Sequence, residues 1–302
     1  MSDNRKVWRN GKLIPWDQAN VHVLSHGFSR GAVVFEVFGI HNTDSGPAAF
    51  RFELHLKRLR RTVDLLGMKL AQSNDEIRTA VAQTTRVNNI TKGYIKIMAY
   101  YGVEAFTTLV PDKMLDLTIL AIPAGADLGI DLAGTMSACL CKWNKLHPGT
   151  VPIEAKVSAH YLNGFLARQE AMGRGFDIGI MMDTHGFVAE GSIEALFMVK
   201  DGVIITAPVG RVLASISRQS VIDIARAEGM EVREIDYTPE QLLEADEMFV
   251  SATPYKVQGI SRIEDKEYKD APGPVAQKLS KLLEKIYTGQ DKRFKDWMEA
   301  LN

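Results

Sequence analysis

Two tight-turn signals, Asn10-Gly11 and Asp201-Gly202, sit between alternating apolar residues and demand a hairpin in each half of the chain. The first hairpin spans Val7 to Pro15 and the second Phe197 to Ile205. Further strand-like runs cover Ala32 to Gly39, Gly93 to Tyr101, Leu115 to Ile122, Asp177 to Met182 and Glu247 to Ser251. Helical periodicity interrupts them, in a stripe of Leu56, Leu59, Val63 and Leu66 and a weaker one of Ile77, Val81 and Val87. Three more helices are predicted at Tyr161 to Met172, Arg218 to Glu228 and Pro274 to Tyr287. Strands and helices mix without regular alternation, which predicts an α+β (mixed α/β) fold rather than a doubly wound sheet. Pro123-Ala124-Gly125-Ala126-Asp127-Leu128-Gly129 reads as a linker. It predicts a small N-terminal domain of residues 1–127 and a larger C-terminal one of residues 128–302, the latter holding Lys156, Glu190, Ser217 and Thr253.

At 302 residues and 46% hydrophobic content the chain can bury a substantial core. Thirty-six basic residues balance thirty-seven acidic ones, so neither a nucleic acid nor an anionic membrane is favoured as partner, and small-molecule chemistry is expected. The polar N-terminus lacks the apolar stretch of a secretory signal, and no apolar run approaches a membrane span. Cys139 and Cys141 lie two apart on a strand-like run, which gives them one shared face and disfavours a disulfide. Packing is the expected role of both, and a reducing cytoplasm is consistent with it. The seven histidines show no metal-ligand spacing, and no nucleophile-elbow serine is present.

Chemistry-bearing residues accumulate after Lys156. The segment Pro152 to Ala159 carries few other charges and leads into a helix, where desolvation would favour a neutral amine able to condense with an aldehyde. Glu190 follows in Phe187-Val188-Ala189-Glu190-Gly191; it is either an acid at the end of the hairpin opened by Asp183-Thr184-His185-Gly186 or a partner for a protonated pyridine nitrogen. Tyr161, five residues past Lys156, either packs in the core or presents its phenol to the same side. Ser217 precedes a helical run, where a serine caps the helix or joins its N–H groups in binding phosphate. Ser251-Ala252-Thr253 is a second hydroxyl-rich loop, and the basic cluster from His55 to Arg61 can turn at most one guanidinium inward, with Arg58 the natural counter-charge. An amine, an acid and two phosphate-sized anion sites are the parts that pyridoxal 5′-phosphate needs.

In this order the residues resemble the fold-type-IV pyridoxal-phosphate enzymes, the class IV aminotransferases, and among them the branched-chain amino-acid aminotransferases. Trp8-Arg9-Asn10-Gly11-Lys12, Val34-Phe35-Glu36, His55-Leu56-Lys57-Arg58-Leu59, Tyr94-Ile95-Lys96, Glu154-Ala155-Lys156, Glu190-Gly191-Ser192, Leu213 to Arg218 and Ser251-Ala252-Thr253 carry the likeness over essentially the whole chain. The resemblance implies that Lys156 binds the cofactor covalently and shuttles the substrate proton. It implies that Glu190 meets the pyridine nitrogen, Tyr161 the ring hydroxyl, and Arg58, Ile216, Ser217 and Thr253 the phosphate. It further implies a small and a large domain with the cofactor between them, dimers or larger oligomers, and ping-pong transfer from a branched-chain amino acid to 2-oxoglutarate. D-amino-acid or amine transamination, or an aminodeoxychorismate-lyase-like reaction of the same fold, is the alternative.

The substrate side departs from the family pattern. Branched-chain members usually have an aromatic residue at Arg30, arginine at Lys96 and asparagine at Ala195, and their Leu-Pro-Gly-Ile-Thr is here Leu213-Ala214-Ser215-Ile216-Ser217. Pro254 removes a backbone N–H that members use for the substrate carboxylate. Either Arg30 or Lys96, with Tyr94 beside them, is therefore expected to take over that contact, or the substrate is not a standard branched-chain acid.

Overall fold

The computed structural model describes residues 4–125 and 134–301. In chain order these form β1 (Lys6–Arg9), β2 (Lys12–Pro15), α1 (His26–Arg30), β3 (Val33–Thr43), β4 (Gly46–Phe50), α2 (Phe52–Leu65), α3 (Asn74–Val87), β5 (Gly93–Tyr100) and β6 (Asp116–Pro123). There follow β7 (Met136–Leu140), α4 (Tyr161–Gly173), β8 (Ile178–Met182), β9 (Val188–Glu190), β10 (Ala195–Lys200), β11 (Val203–Thr206), α5 (Ile216–Ala227) and β12 (Val232–Glu234). The last elements are α6 (Pro239–Leu243), β13 (Glu247–Ala252), β14 (Lys256–Ile263), β15 (Lys266–Glu267), α7 (Pro274–Tyr287) and β16 (Met298–Ala300). This is a mixed α+β fold with two sheets.

The chain divides into two compact units: Met1–Gly129 with Ala155–Ala159 and Ile286–Asn302, and Ile130–Glu154 with His160–Lys285. Of the linker expected at Pro123–Gly129, residues 126–129 lie outside the described residues.

In the first unit seven antiparallel strands run β16-β4-β3-β5-β6-β1-β2. The β1–β2 turn is made by Asn10 and Gly11, both at positive φ, as a two-residue turn matched to strand twist requires. Alternation sorts the two sheet faces. Val34, Phe38, Ile95, Ile97, Leu117 and Ile119 are buried in a core with Leu56, Leu59 and Val63 of α2 and Ile77 and Val81 of α3. The opposite face carries Phe35, Val37, Tyr94 and Lys96, half-buried. A capping box between Ser73 and Glu76 fixes the start of α3.

The second unit holds nine strands in the order β12-β11-β10-β13-β14-β7-β8-β9, with β15 on β14. Pairing is mixed: β7 runs parallel to β8 and β14, and β11 parallel to β12, while β10, β11, β13 and β14 pair antiparallel. Asp201 and Gly202, again at positive φ, close the β10–β11 hairpin. Phe197 of β10 and Phe249 of β13, paired across the sheet, stack at 4.9 Å between ring centroids. Cys139 and Cys141 are free and buried, and burial raises both thiols above their ordinary pKa. Among the described residues no helix is long and apolar enough to cross a membrane.

Candidate active site

Lys156 is placed by an unfilled strand edge. β3 is eleven residues long, but β4 pairs only with Ile40 to Thr43, so the outer edge of the preceding stretch needs another partner. Residues 155–159 supply it: Phe35 N–H donates to the Lys156 carbonyl at 3.1 Å, and Val157 bridges Val34. On its other side the Lys156 N–H donates to Thr62 Oγ1 of α2 at 3.1 Å. The main chain of Lys156 is thus held from two directions while its half-buried side chain lies against Phe35, with Nζ 4.6 Å from the ring centroid.

Lys96 approaches the same ring, with Nζ 5.7 Å from its centroid. Burial, and then the charge of Lys156, hold the Lys96 ammonium below its ordinary pKa. Among the described residues no carboxylate pairs with Lys96. Tyr94 projects from the same face two residues earlier, and burial pushes its phenol up. Arg30 does not join them: it is exposed at the end of α1 and donates to the Phe106 carbonyl at 3.3 Å.

Beneath the sheet, Arg58 is the inward-turned guanidinium of its cluster. Its Nε and Nη2 donate to the two carboxylate oxygens of Glu36 at 2.8 and 2.6 Å. His55 Nδ1 donates to the same Oε2 at 2.7 Å. All three are buried, Glu36 completely. Burial alone would raise the Glu36 pKa, but the charge and hydrogen bonds of Arg58, aided by His55, bring it to about 2. Burial carries His55 down to about 4 against the pull of Glu36, with the charges of Arg58 and Lys156 adding to the fall. Neutral imidazole, ionised carboxylate and guanidinium make a satisfied set at neutral pH.

In the second unit Glu190 ends β9 and forms an ion pair with Lys145, whose own N–H is tied to the Met182 carbonyl. The loop after Glu190 is wound around fully buried Glu194: Ile193 N–H donates to its carboxylate at 2.9 Å, Gly191 N–H to its carbonyl at 2.8 Å, and Arg168 pairs with it. Tyr161 is the first residue of α4. At α5 the structure corrects the sequence reading. Ser215, not Ser217, is the N-cap, accepting from Arg218 N–H at 3.3 Å; Ile216 and Ser217 occupy the first turn, whose N–H groups lack intrahelical partners. Thr253 lies in the turn between β13 and β14, two residues past Ser251, whose buried Oγ meets no partner among the described residues.

Of the residues singled out from sequence, Lys156, Lys96 and Tyr94 gather on one face of the first sheet, and the charges of Lys156 and Arg58 both reach His55. Glu36, Lys145 and Glu194 were missed. An acid at an inward strand position was the available signal for Glu36, whereas nothing local marks Lys145.

A further prediction concerns the Glu190 loop. A Cβ at Gly164 of α4 would fall on the Ser192 carbonyl oxygen. Gly164→Ala gains about 1 kcal/mol of helix propensity but costs about 1–3 kcal/mol of overpacking against backbone. Net destabilisation in urea unfolding is the expected outcome; a stabilised variant would show that the contact yields easily.

The class IV amino-transferase family model matches residues 33–263. The branched-chain-amino-acid aminotransferase of Salmonella typhimurium is 33% identical over 98% of this chain and 97% of its own length, and that of Escherichia coli K12 matches to the same extent. Among solved structures, the branched-chain amino acid aminotransferase of Thermobaculum terrenum in its PLP form superposes with a TM-score of 0.91 at 30% identity, covering 100% of both chains. The branched-chain aminotransferase of Thermoproteus uzoniensis with norvaline gives 0.93 at 31% identity over 99% of each chain. With the family model matching well over half of its length, this chain belongs to the class IV aminotransferases.

Proposed function

We propose that this protein transfers an amino group between a branched-chain amino acid and 2-oxoglutarate, using pyridoxal 5′-phosphate. The observation that carries this reading is the main-chain clamp on Lys156, which presents a half-buried amine beside Phe35 and near buried Arg58. The donor set fits the cofactor: an amine for its aldehyde, a carboxylate for its pyridine nitrogen, and a guanidinium, a helix start and hydroxyls for its phosphate. When bound, pyridoxal phosphate supplies an electron sink for the substrate α-carbon.

The chain's own groups do the rest. Lys156 Nζ would hold the cofactor aldehyde and would move the proton to and from the substrate α-carbon. Glu190, which pairs with Lys145, would accept the pyridinium N–H, and Tyr161 would donate to the ring oxygen. Arg58, Ile216 N–H, Ser217 and Thr253 are the groups that would hold the phosphate. One product must leave before the second substrate enters, so a ping-pong pattern is expected.

Lys96 is the better candidate for the substrate carboxylate, with Tyr94 beside it, because it is a half-buried cation without a carboxylate partner among the described residues, whereas Arg30 is exposed. Pro254 offers no N–H for that contact. Lys96→Ala is expected to raise KM for amino acid and keto acid roughly 10- to 100-fold, the worth of a hydrogen bond to a charged group. Arg30→Ala should stay within about twofold, as exposed charges usually do. The reverse ranking in steady-state kinetics would transfer the role to Arg30.

A homodimer or larger assembly is part of this reading. It is supported by exposed apolar side chains, Val23 and Phe28 of α1 and its preceding loop and Phe106 and Val110 of a second segment, on two stretches joined by Gly27 N–H to the Tyr101 carbonyl and Ala105 N–H to the Leu24 carbonyl; Phe106 is 82% exposed and Val110 81%. A cytoplasmic location suits two free cysteines. The test is an amino-donor screen with 2-oxoglutarate and pyruvate as acceptors. Glutamate formed from leucine, isoleucine and valine is the expected result. Preference for D-amino acids or amines, or pyruvate released without an acceptor, would overturn the assignment.

A further inference from the structure

We infer that Glu36, with His55 behind it, is the positioning residue that aims Arg58 at the cofactor's phosphate. The inference rests on the proposed cofactor and adds a role that the sequence reading assigned to neither residue. A guanidinium is planar, so holding Nε and Nη2 on the two oxygens of one carboxylate fixes the plane and with it the direction of Nη1. His55 Nδ1 shares Oε2 with Arg58 Nη2, which stops the carboxylate from turning about its own axis. The neighbours rule out a solvated ion pair: Glu36 is wholly buried, His55 and Arg58 nearly so, and the His55 ring packs 5.0 Å from the Phe38 ring.

Orientation and charge act in opposite directions here. A carboxylate beside Arg58 partly neutralises it, so removing that charge would strengthen attraction to a phosphate dianion if attraction were all that mattered. Orientation makes the contrary demand. Glu36→Gln keeps the shape but replaces one acceptor with an NH2 group facing Arg58, so the fork cannot close and Nη1 loses its fixed direction.

The experiment compares pyridoxal 5′-phosphate with unphosphorylated pyridoxal, each binding followed by absorbance on the wild-type protein and on Glu36→Gln. The expected result is a roughly 10- to 100-fold loss of affinity for the phosphorylated form, with pyridoxal within about twofold of wild type. Glu36→Asp, which restores the charge on a shorter arm, should recover part of the loss. Unchanged or tighter binding of the phosphorylated form overturns the inference, as does an equal loss for both forms. Should Glu36→Gln fail to fold, His55→Phe removes only the second donor and is expected to weaken the phosphorylated form alone by several-fold, while His55→Asn, which keeps a donor near Nδ1, restores it; no difference between these two variants contradicts the inference. Wild-type protein that binds neither form refutes the cofactor assignment itself, which separates that failure from the failure of the Glu36 role.

Discussion

Lys156→Ala is expected to lower the transamination rate at least about a thousandfold and to leave the fold intact. The rate loss follows from the two tasks given to one Nζ, holding the cofactor and moving the α-proton, because acid–base catalysis alone is worth about 10²–10⁴-fold. The intact fold follows from where the residue is anchored. Its ties to Phe35 and Thr62 use the main-chain carbonyl and N–H, which alanine keeps. Steady-state assays and thermal melts separate the two effects: activity should disappear with little change in Tm. A variant that melts much earlier would show that the amine serves stability as well.

Acid is expected to weaken the protein in two stages that both trace to the buried trio under the first sheet. His55 has its folded pKa lowered from 6.5 to about 4 by burial, so the unfolded chain binds its proton first. Stability from this group is complete above pH 6.5 and lost as pH falls toward 4, by up to about 3 kcal/mol. Glu36, wholly buried yet held at about 2 by Arg58 and His55, adds a second loss of similar order between pH 4.5 and 2. Both have the same sign, since each folded pKa lies below its unfolded value. Urea unfolding at pH 7 and pH 4 measures the first stage. His55→Phe should be less stable at pH 7 and should flatten the slope between pH 6.5 and 4 relative to wild type; equal slopes in the two proteins would remove His55 as the cause.

What could be read beforehand was whatever the chain writes locally. Asn10-Gly11 and Asp201-Gly202 announce their hairpins because two residues at positive φ are needed there and few others tolerate it. The stripe of Leu56, Leu59 and Val63 places α2, and Pro274 to Tyr287 bounds α7 to the residue. Local reading fails where a partner is distant. Thr62, which holds Lys156, stands 94 positions away, and the docking of residues 155–159 depends on the pairing of β4 with β3 ending at Ile40, a matter of sheet register that no motif encodes. Glu36 looks like an interruption of an apolar strand face until Arg58 and His55 arrive from α2. The N-cap of α5 was misplaced because Ser215 and Ser217 are equally good caps by type, and only the backbone at Ser215 decides between them.

A covalent bond between Lys156 and the cofactor is tested most directly by chemical trapping. Wild-type protein mixed with pyridoxal 5′-phosphate should develop visible absorbance; after borohydride reduction, peptide mapping should find the pyridoxyl group on Lys156. A solution that stays colourless, or a label that falls on Lys96, Lys145 or any other lysine instead, contradicts the account.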